Sequence, residues 1–301
     1  MKAILMTVVF MLLLSCKKDS DAIEVAPPIP EETAPVVVTK TANTTNSLIA
    51  EFNAKKKQAK SQLGSLSAEQ ANALYESYKK KNDSIMRMLE HTERNIVDHF
   101  YDYYSDEQGN VKSPPDSIAK KEALLKSAGI EFWEIGEGMV EIRTVPDFYL
   151  AIFKGRVTKD YEEFISLMAK DDKELYSADA GLAITFKDLG KRVLNWEKFI
   201  AKNPYSALTP AAIDIYQDYQ HSYLIGMDNT PTIEFSTNSV NPENVIEFKE
   251  FIAANPSSPT TALVKVVLAA TGTKDEMTSA IEKAQGKLID KLIEDTTPDY
   301  R

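Results

Sequence analysis

Apolar residues recur along most of this chain at intervals of three and four, the spacing that places them on one face of a helix. The first such stretch runs from Ser47 to Leu63, and Gly64-Ser65-Leu66-Ser67 interrupts it. Ser67-Ala68-Glu69-Gln70 then has the form of a capping box, with Gln70 placed to reach back to the Ser67 backbone. From there one long helix is predicted to about Tyr104, with Ala71, Leu74, Tyr78, Ile85, Leu89, Ile96, Phe100 and Tyr103 at its apolar positions. The Lys79-Lys80-Lys81 run on it reads as a solvated face. A loop over 105–115, with Gly109 and Pro114-Pro115, precedes a short helix from Asp116 to Ser127.

The period then changes. Ile130-Glu131-Phe132-Trp133-Glu134-Ile135 and Met139-Val140-Glu141-Ile142-Arg143-Thr144-Val145 flank Gly136-Glu137-Gly138. Two β-rich runs joined by a short glycine turn predict a hairpin. An isolated hairpin is marginal in water, so this one is expected to pack on helices. From Pro146 onward the helical period returns. Scarce glycine, 11 residues of 301, argues in the same direction, since few tight turns favour helices over many-stranded sheets.

A repeat lies in this second part. Tyr161-Glu162-Glu163-Phe164-Ile165, Trp196-Glu197-Lys198-Phe199-Ile200 and Phe248-Lys249-Glu250-Phe251-Ile252 share an aromatic, two polar positions, then Phe-Ile. They begin at residues 161, 196 and 248, steps of 35 and 52. The second copy continues as Ala201-Lys202-Asn203-Pro204-Tyr205-Ser206 and the third as Ala253-Ala254-Asn255-Pro256-Ser257-Ser258. Asn-Pro stops a helix because the residue before proline avoids the helical region. A second helix is expected from Pro210 to about Leu224. The Phe-Ile-x-x-Asn-Pro-x-Ser turn, followed by Pro210-Ala211-Ala212 and Tyr216, resembles the tetratricopeptide-like repeats of outer-membrane assembly lipoproteins over roughly residues 161–270. The first copy departs from the pattern in lacking Asn-Pro. The resemblance implies stacked helix pairs that bind another protein. Between the second and third copies, Gly226-Met227-Asp228-Asn229-Thr230-Pro231 and a polar stretch to Pro242 form an insertion. Asp228, Asn229 and Thr230 are its candidate binding loop; the other reading is a solvated connection. A last helix, about Lys274 to Glu294, is placed to cap the stack.

The N-terminus has a different pattern. Met1-Lys2 precedes an apolar run from Ala3 to Leu14, about twelve residues against the roughly 20 that a membrane span needs. Leu13-Leu14-Ser15-Cys16 resembles the lipobox of bacterial lipoprotein signal peptides. That resemblance implies cleavage before Cys16, acyl chains on it, and an anchor in the outer membrane on its periplasmic or cell-surface side. Lys17-Lys18-Asp19-Ser20-Asp21 is similar to the tag of surface-exported lipoproteins; the other reading is a charged linker. Cys16 is the only cysteine, so no disulfide framework is expected. The expected organisation is a signal peptide at 1–15, a lipidated, Pro-rich extended linker at 16–46, N-terminal helices plus hairpin at 47–157, helix-pair repeats at 158–295, and a tail at 296–301.

Charge and chemistry narrow the function. With 35 basic and 45 acidic side chains the net charge is −10, which repels nucleic acid. No nucleophile elbow, zinc-protease motif or phosphate loop occurs in the sequence. His91, Asn95 and His99 could share one helix side, with Asp98 near, but no third and fourth ligand accompanies them, so no metal is expected. Glu131, Glu134, Glu137, Glu141 and Asp147 cluster around the hairpin. Carboxylates roughly 5–10 Å apart hydrolyse glycosides, while alternate Glu on a strand is more often a solvated face. Trp133 and Trp196 could stack on sugars, or fill the core. The reading is a mainly α fold of helix-pair repeats with one small β-hairpin, non-enzymatic, without cofactor, binding an envelope protein or peptide. A glycan- or nutrient-capturing surface lipoprotein and a carboxylate-dependent glycan hydrolase are the alternatives.

Overall fold

Thr44 and Ser47 begin the first helix by capping each other. The Ser47 amide donates to Thr44 Oγ1 at 3.2 Å and the Thr44 amide to Ser47 Oγ at 3.0 Å, which starts α1 (Thr45–Gln62). The computed structural model describes residues 44–136 and 138–297; Cys16, the signal peptide, almost all of the linker, Glu137 and residues 298–301 lie outside them. The capping box at Ser67 forms as its sequence predicts, with Gln70 Oε1 accepting from the Ser67 amide at 3.0 Å, and opens α2 (Ala68–Thr92).

The long helix expected to reach Tyr104 is three helices. α2 ends at Thr92, α3 covers Arg94–Asp98 and α4 covers Phe100–Tyr104. The breaks fall at Glu93 (φ −102°, ψ 17°) and His99 (φ −123°, ψ 26°). Glu93 is 2% exposed, and its carboxylate accepts from the Thr45 hydroxyl and the Lys121 ammonium. A buried carboxylate is tolerated only when paired and hydrogen-bonded. The bend lets it meet α1 and α5 (Asp116–Ala128) together.

α5 stops at Gly129, whose φ of 90° suits glycine; a Cβ there would stand 2.9 Å from the Phe148 ring. The predicted hairpin follows as β1 (Ile130–Gly136) and β2 (Met139–Thr144), antiparallel with Ile130 opposite Thr144 and Trp133 opposite Glu141. Ile130, Phe132, Val140 and Ile142 share its inner face, and Phe132 meets Phe100 at 5.4 Å. Glu131, Trp133, Glu141 and Arg143 share the other face.

After α6 (Leu150–Phe153) the first copy of the motif lies in α7 (Lys159–Asp171), which short strands over 177–182 and not a second helix follow, so only the second and third copies form the expected helix pairs. The further helices are α8 (Phe186–Lys202), α9 (Thr209–Ile225), α10 (Pro242–Ala254), α11 (Pro259–Ala269) and α12 (Lys274–Thr296). The fold is mainly α, as expected. Where one hairpin was expected, four two-stranded antiparallel sheets occur among the described residues. The added ones are β3–β4 (Ser177–Ala178, Gly181–Leu182), β5–β6 (Gly226–Met227, Thr230–Pro231) and β7–β8 (Ile233–Glu234, Ser239–Val240). Strands of two residues are too short to show an alternating pattern.

Two clusters of buried side chains share α7. Tyr161 and Ile165 belong with Phe52, Tyr75, Leu125 and Phe153, while Phe164 belongs with Trp196, Phe199, Tyr216, Tyr223 and Phe248. The aromatic and Phe of each repeat copy are buried throughout.

The two Asn-Pro corners are superimposable in their chemistry. Asn203 Nδ2 donates to the Phe199 carbonyl at 3.0 Å, and Asn255 Nδ2 to the Phe251 carbonyl at 3.1 Å. The Ser206 amide returns to the Asn203 carbonyl and the Ser258 amide to the Asn255 carbonyl, each at 3.1 Å. Thr209 and Thr261 donate their hydroxyls to the same two carbonyls at 2.5 and 2.6 Å. Each corner serine then donates to a carboxylate of the preceding copy: Ser206 to Asp160 at 2.5 Å, Ser258 to Glu197 at 2.7 Å. Glu197 also accepts from the Thr260 hydroxyl at 2.9 Å. Hydrogen bonds to a charged group contribute about 1.5–3 kcal/mol, so Glu197→Ala is expected to lower stability by about 2–3 kcal/mol in urea unfolding. The exposed neighbour variant Lys198→Ala is expected to stay within about 0.5 kcal/mol of wild type. Equal midpoints for the two variants would show that the corner does not depend on this grip.

Candidate binding cleft

Four elements leave a cleft of about 580 Å³ between them. α2 supplies Tyr75, Lys79, Asp83, Met86, Arg87 and Glu90, spaced by threes and fours along one face. β2 supplies Glu141, Ile142, Arg143 and Thr144. Phe164, Ile165, Met168 and Ala169 of α7 and Ile215 of α9 make the floor apolar. Asp172, just beyond α7, and Asp214 of α9 add carboxylates to the walls.

Most of the cations here are already committed. Lys79 pairs with Asp83 at 2.9 Å. Arg143 donates from Nε to Glu131 Oε1 at 3.0 Å and from Nη2 to the Asp172 carbonyl at 2.9 Å. Its guanidinium also lies 3.5 Å from the Trp133 ring centroid, a cation–π contact. Glu90 accepts from the Ile142 amide at 3.3 Å. Among the described residues, the side chains of Arg87, Glu141, Asp172 and Asp214 make no hydrogen bond or ion pair within the limits of a direct contact. One uncommitted cation therefore faces three uncommitted carboxylates.

Two of these carboxylates, Glu141 and Asp172, are raised, chiefly by burial. Burial raises the Glu141 carboxyl above the usual carboxylate range; Glu90 and Asp172 add to the rise and Arg143 opposes it. Asp172 is reached by solvent, yet protein crowds it on the cleft wall and raises its carboxyl too, with Asp171 adding to the rise and Arg143 and Arg192 opposing it.

The hairpin carboxylates do not converge. Glu131 is paired with Arg143. Glu134 is exposed on the opposite hairpin face, where burial and the Glu134 hydrogen bond push the Tyr101 hydroxyl up to about 12. Asp147 pairs with Lys173 at 3.2 Å on the surface, and Glu141 stands in the cleft. Neither tryptophan presents an open ring: Arg143 covers Trp133, and Trp196 is buried with Nε1 donating to Asp171 at 2.8 Å.

The histidine reading changes with the helix. His91 lies in α2, Asn95 in α3 and His99 at the next break, so they do not share one helix side. Asn95 donates to the Tyr103 hydroxyl at 2.9 Å, and His99 Nδ1 lies 3.3 Å from Asp102. Among the described residues, no group of His, Cys, Asp and Glu is gathered as a metal site.

The loop at Asp228, Asn229 and Thr230 is built into the fold. The Asn229 amide donates to the Ala180 carbonyl at 2.9 Å, its Nδ2 to the Asp179 carbonyl, and the Leu182 amide to Thr230 Oγ1 at 2.8 Å. Asp179 and Ala180 sit at φ 50° and 51°, a backbone conformation that needs such outside support. Asp228 remains exposed. The sequence marks Glu141 among the hairpin acids and Phe164-Ile165 in the repeat but not the cleft that joins them to α2; the shared face of Tyr75, Lys79, Asp83, Arg87 and Glu90 is the available signal.

Comparison with protein-family models, curated proteins and solved structures finds no match.

Two measurements follow from this geometry. With its pKa raised, folded Glu141 keeps its proton to a higher pH than it does in the unfolded chain. Its contribution to stability therefore falls as pH rises from the usual carboxylate range through the folded value. Glu141→Gln is expected to show a smaller decline in urea midpoint between about pH 4.5 and about pH 7 than wild type; equal declines would remove Glu141 from this account. Arg143→Ala is expected to uncover Trp133 and shift tryptophan emission to the red. The shift should vanish when Trp133→Phe is added, and an unchanged emission in Arg143→Ala would mean that the guanidinium does not shield the ring.

Proposed function

We propose that the chain is a lipid-anchored cell-envelope protein of non-enzymatic type, which holds another envelope protein or peptide in the cleft beside its helical repeats. The observation that carries the binding role is the cleft itself, with an apolar floor left open, a crowded Glu141 without a direct partner, and the solvent-reached Asp172 and Asp214 at its rim. Such a site is disfavoured in a chain that only has to fold, and it is expected where a ligand completes it. The carboxylates stand on different walls, with no nucleophile and base paired beside them, so the arrangement serves recognition better than bond cleavage. The address is proposed from Leu13-Leu14-Ser15-Cys16. No helix among the described residues is long and apolar enough to cross a membrane, so membrane attachment in this reading falls to the acyl chains on Cys16. Each buried CH₂ of such chains contributes about 0.8 kcal/mol, and two or more chains hold a protein stably.

Cys16→Ala is expected to move the protein from the membrane pellet to the soluble fraction. Fractionation like wild type would sink the anchor. For the cleft, a photo-crosslinking side chain in place of Ile215 is expected to give a discrete adduct with an envelope protein in cells. The same side chain in place of the exposed Glu250 serves as the control and should give none. Adducts from both positions alike, or from neither, would leave the cleft without a partner role.

A further inference from the structure

We infer that the cleft takes an extended peptide segment in which basic side chains alternate with apolar ones. This rests on the reading of the cleft as the partner site and names the chemistry of what enters it. The volume, about 580 Å³, lies within the roughly 300–1,000 Å³ range of ligand pockets. Its floor offers apolar side chains, with Met168 able to adapt to different shapes. Lys and Arg lay their aliphatic stems on such a surface and carry their charge to its edge. There they meet Glu141, Asp172 and Asp214, none of which has a direct partner among the described residues, against Arg87 alone. An anionic ligand would find the opposite balance, because Lys79 and Arg143 are already engaged.

Asp214 distinguishes a peptide from a small amine. It borders the cleft on one side and, on the other, a second depression of about 550 Å³ lined by Tyr205 and Ile293. Those two apolar side chains are 72% and 48% exposed. The two hollows thus meet at Asp214 on α9, with the apolar floor on one side and the apolar shelf on the other. Glu141 and Asp172 repel each other within the first hollow. A single ammonium satisfies one hollow, whereas a segment of alternating character satisfies both and covers the exposed Tyr205 and Ile293.

The test uses the full chain in detergent micelles, with empty micelles as the blank. The probes are a fluorescein-labelled heptapeptide alternating valine with lysine and its counterpart with glutamate for lysine. Fluorescence anisotropy is expected to show saturable binding of the basic peptide only. In the Glu141→Gln/Asp214→Asn double variant that binding should weaken by about ten-fold or more, and it should also weaken with added salt. Glu250→Gln, which removes one charge outside the cleft, should bind as wild type does. Equal binding of both peptides, or unaltered binding in the double variant, overturns the inference. If no basic peptide binds while the Ile215 crosslink still captures an envelope protein, the chemistry assigned here is wrong and the partner site stands. If both fail, the functional reading falls with it.

Discussion

Carboxylates that reach from one helix of the repeat series into the next Asn-Pro corner tie the repeat half of this chain together. A corner made by Asn-Pro removes a backbone donor and leaves helix-end carbonyls to be satisfied. Asn203 and Asn255 cover the Phe199 and Phe251 carbonyls from their own side chains. The serine that follows is then free to be gripped from outside, by Asp160 in one case and Glu197 in the other. The grip sets the spacing of neighbouring pairs more sharply than apolar packing alone, because hydrogen bonds are directional and hydrophobic contact is not. In the third copy Lys249 occupies the position of Glu197, and Glu247, at the position of Asp160, accepts from the Tyr223 hydroxyl at 3.3 Å. There α12 lies across the stack instead, and Gln285 reaches the Gln217 carbonyl at 3.0 Å and the Gln220 side chain at 3.2 Å.

The same chemistry takes opposite signs in the corner and in the cleft. Burial alone would raise the Asp160 carboxyl, but the hydroxyls of Ser206 and Thr158 outweigh it and hold it below the usual range. That contribution is complete above the unfolded pKa and is lost as pH falls through the folded one. Glu141 and Asp172 lack such donors and are raised. Asp160 in the corner stabilises the fold, while Glu141 and Asp172 in the cleft strain it slightly. Asp171 and Glu247 are raised by burial too, but each accepts a hydrogen bond, from Trp196 and from Tyr223, whereas Glu141 stands beside an open apolar floor, where a ligand is to be sought.

Much of this was legible in the sequence because it was written in short-range chemistry. The Ser67 capping box, the Ile130–Thr144 pairing and the two Asn-Pro corners each depend on residues a few positions apart. The breaks at Glu93 and His99 were hidden because the apolar period continues through them; only the buried pairing of Glu93 with Thr45 and Lys121 explains the first. The three small hairpins fall below the length at which alternation can be seen. Asp228, Asn229 and Thr230 drew attention as polar loop residues, yet Asn229 and Thr230 are spent on Asp179, Ala180 and Leu182, far back in the chain. The cleft was illegible for the same reason, since α2, β2, α7 and α9 bring it together only once folded.

Arg143 decides the character of that cleft. It points from the outward hairpin face, where alternation along β2 places it beside Glu141, and three demands meet on it: the Glu131 carboxylate, the Asp172 carbonyl and the Trp133 ring. A planar guanidinium meets all three at once, donating in its plane and stacking through its face, which an ammonium does not. Because its donors are directed at Glu131 and at backbone, Arg143 lessens the burden on Glu141 and Asp172 without removing it. The hairpin, read in the sequence as a carboxylate cluster, is therefore a wall whose cation is occupied and whose acid is left over. Under the proposed function a partner's fixed cation is worth most beside Glu141, which protein crowds, because the chain's many surface carboxylates are solvated and screened.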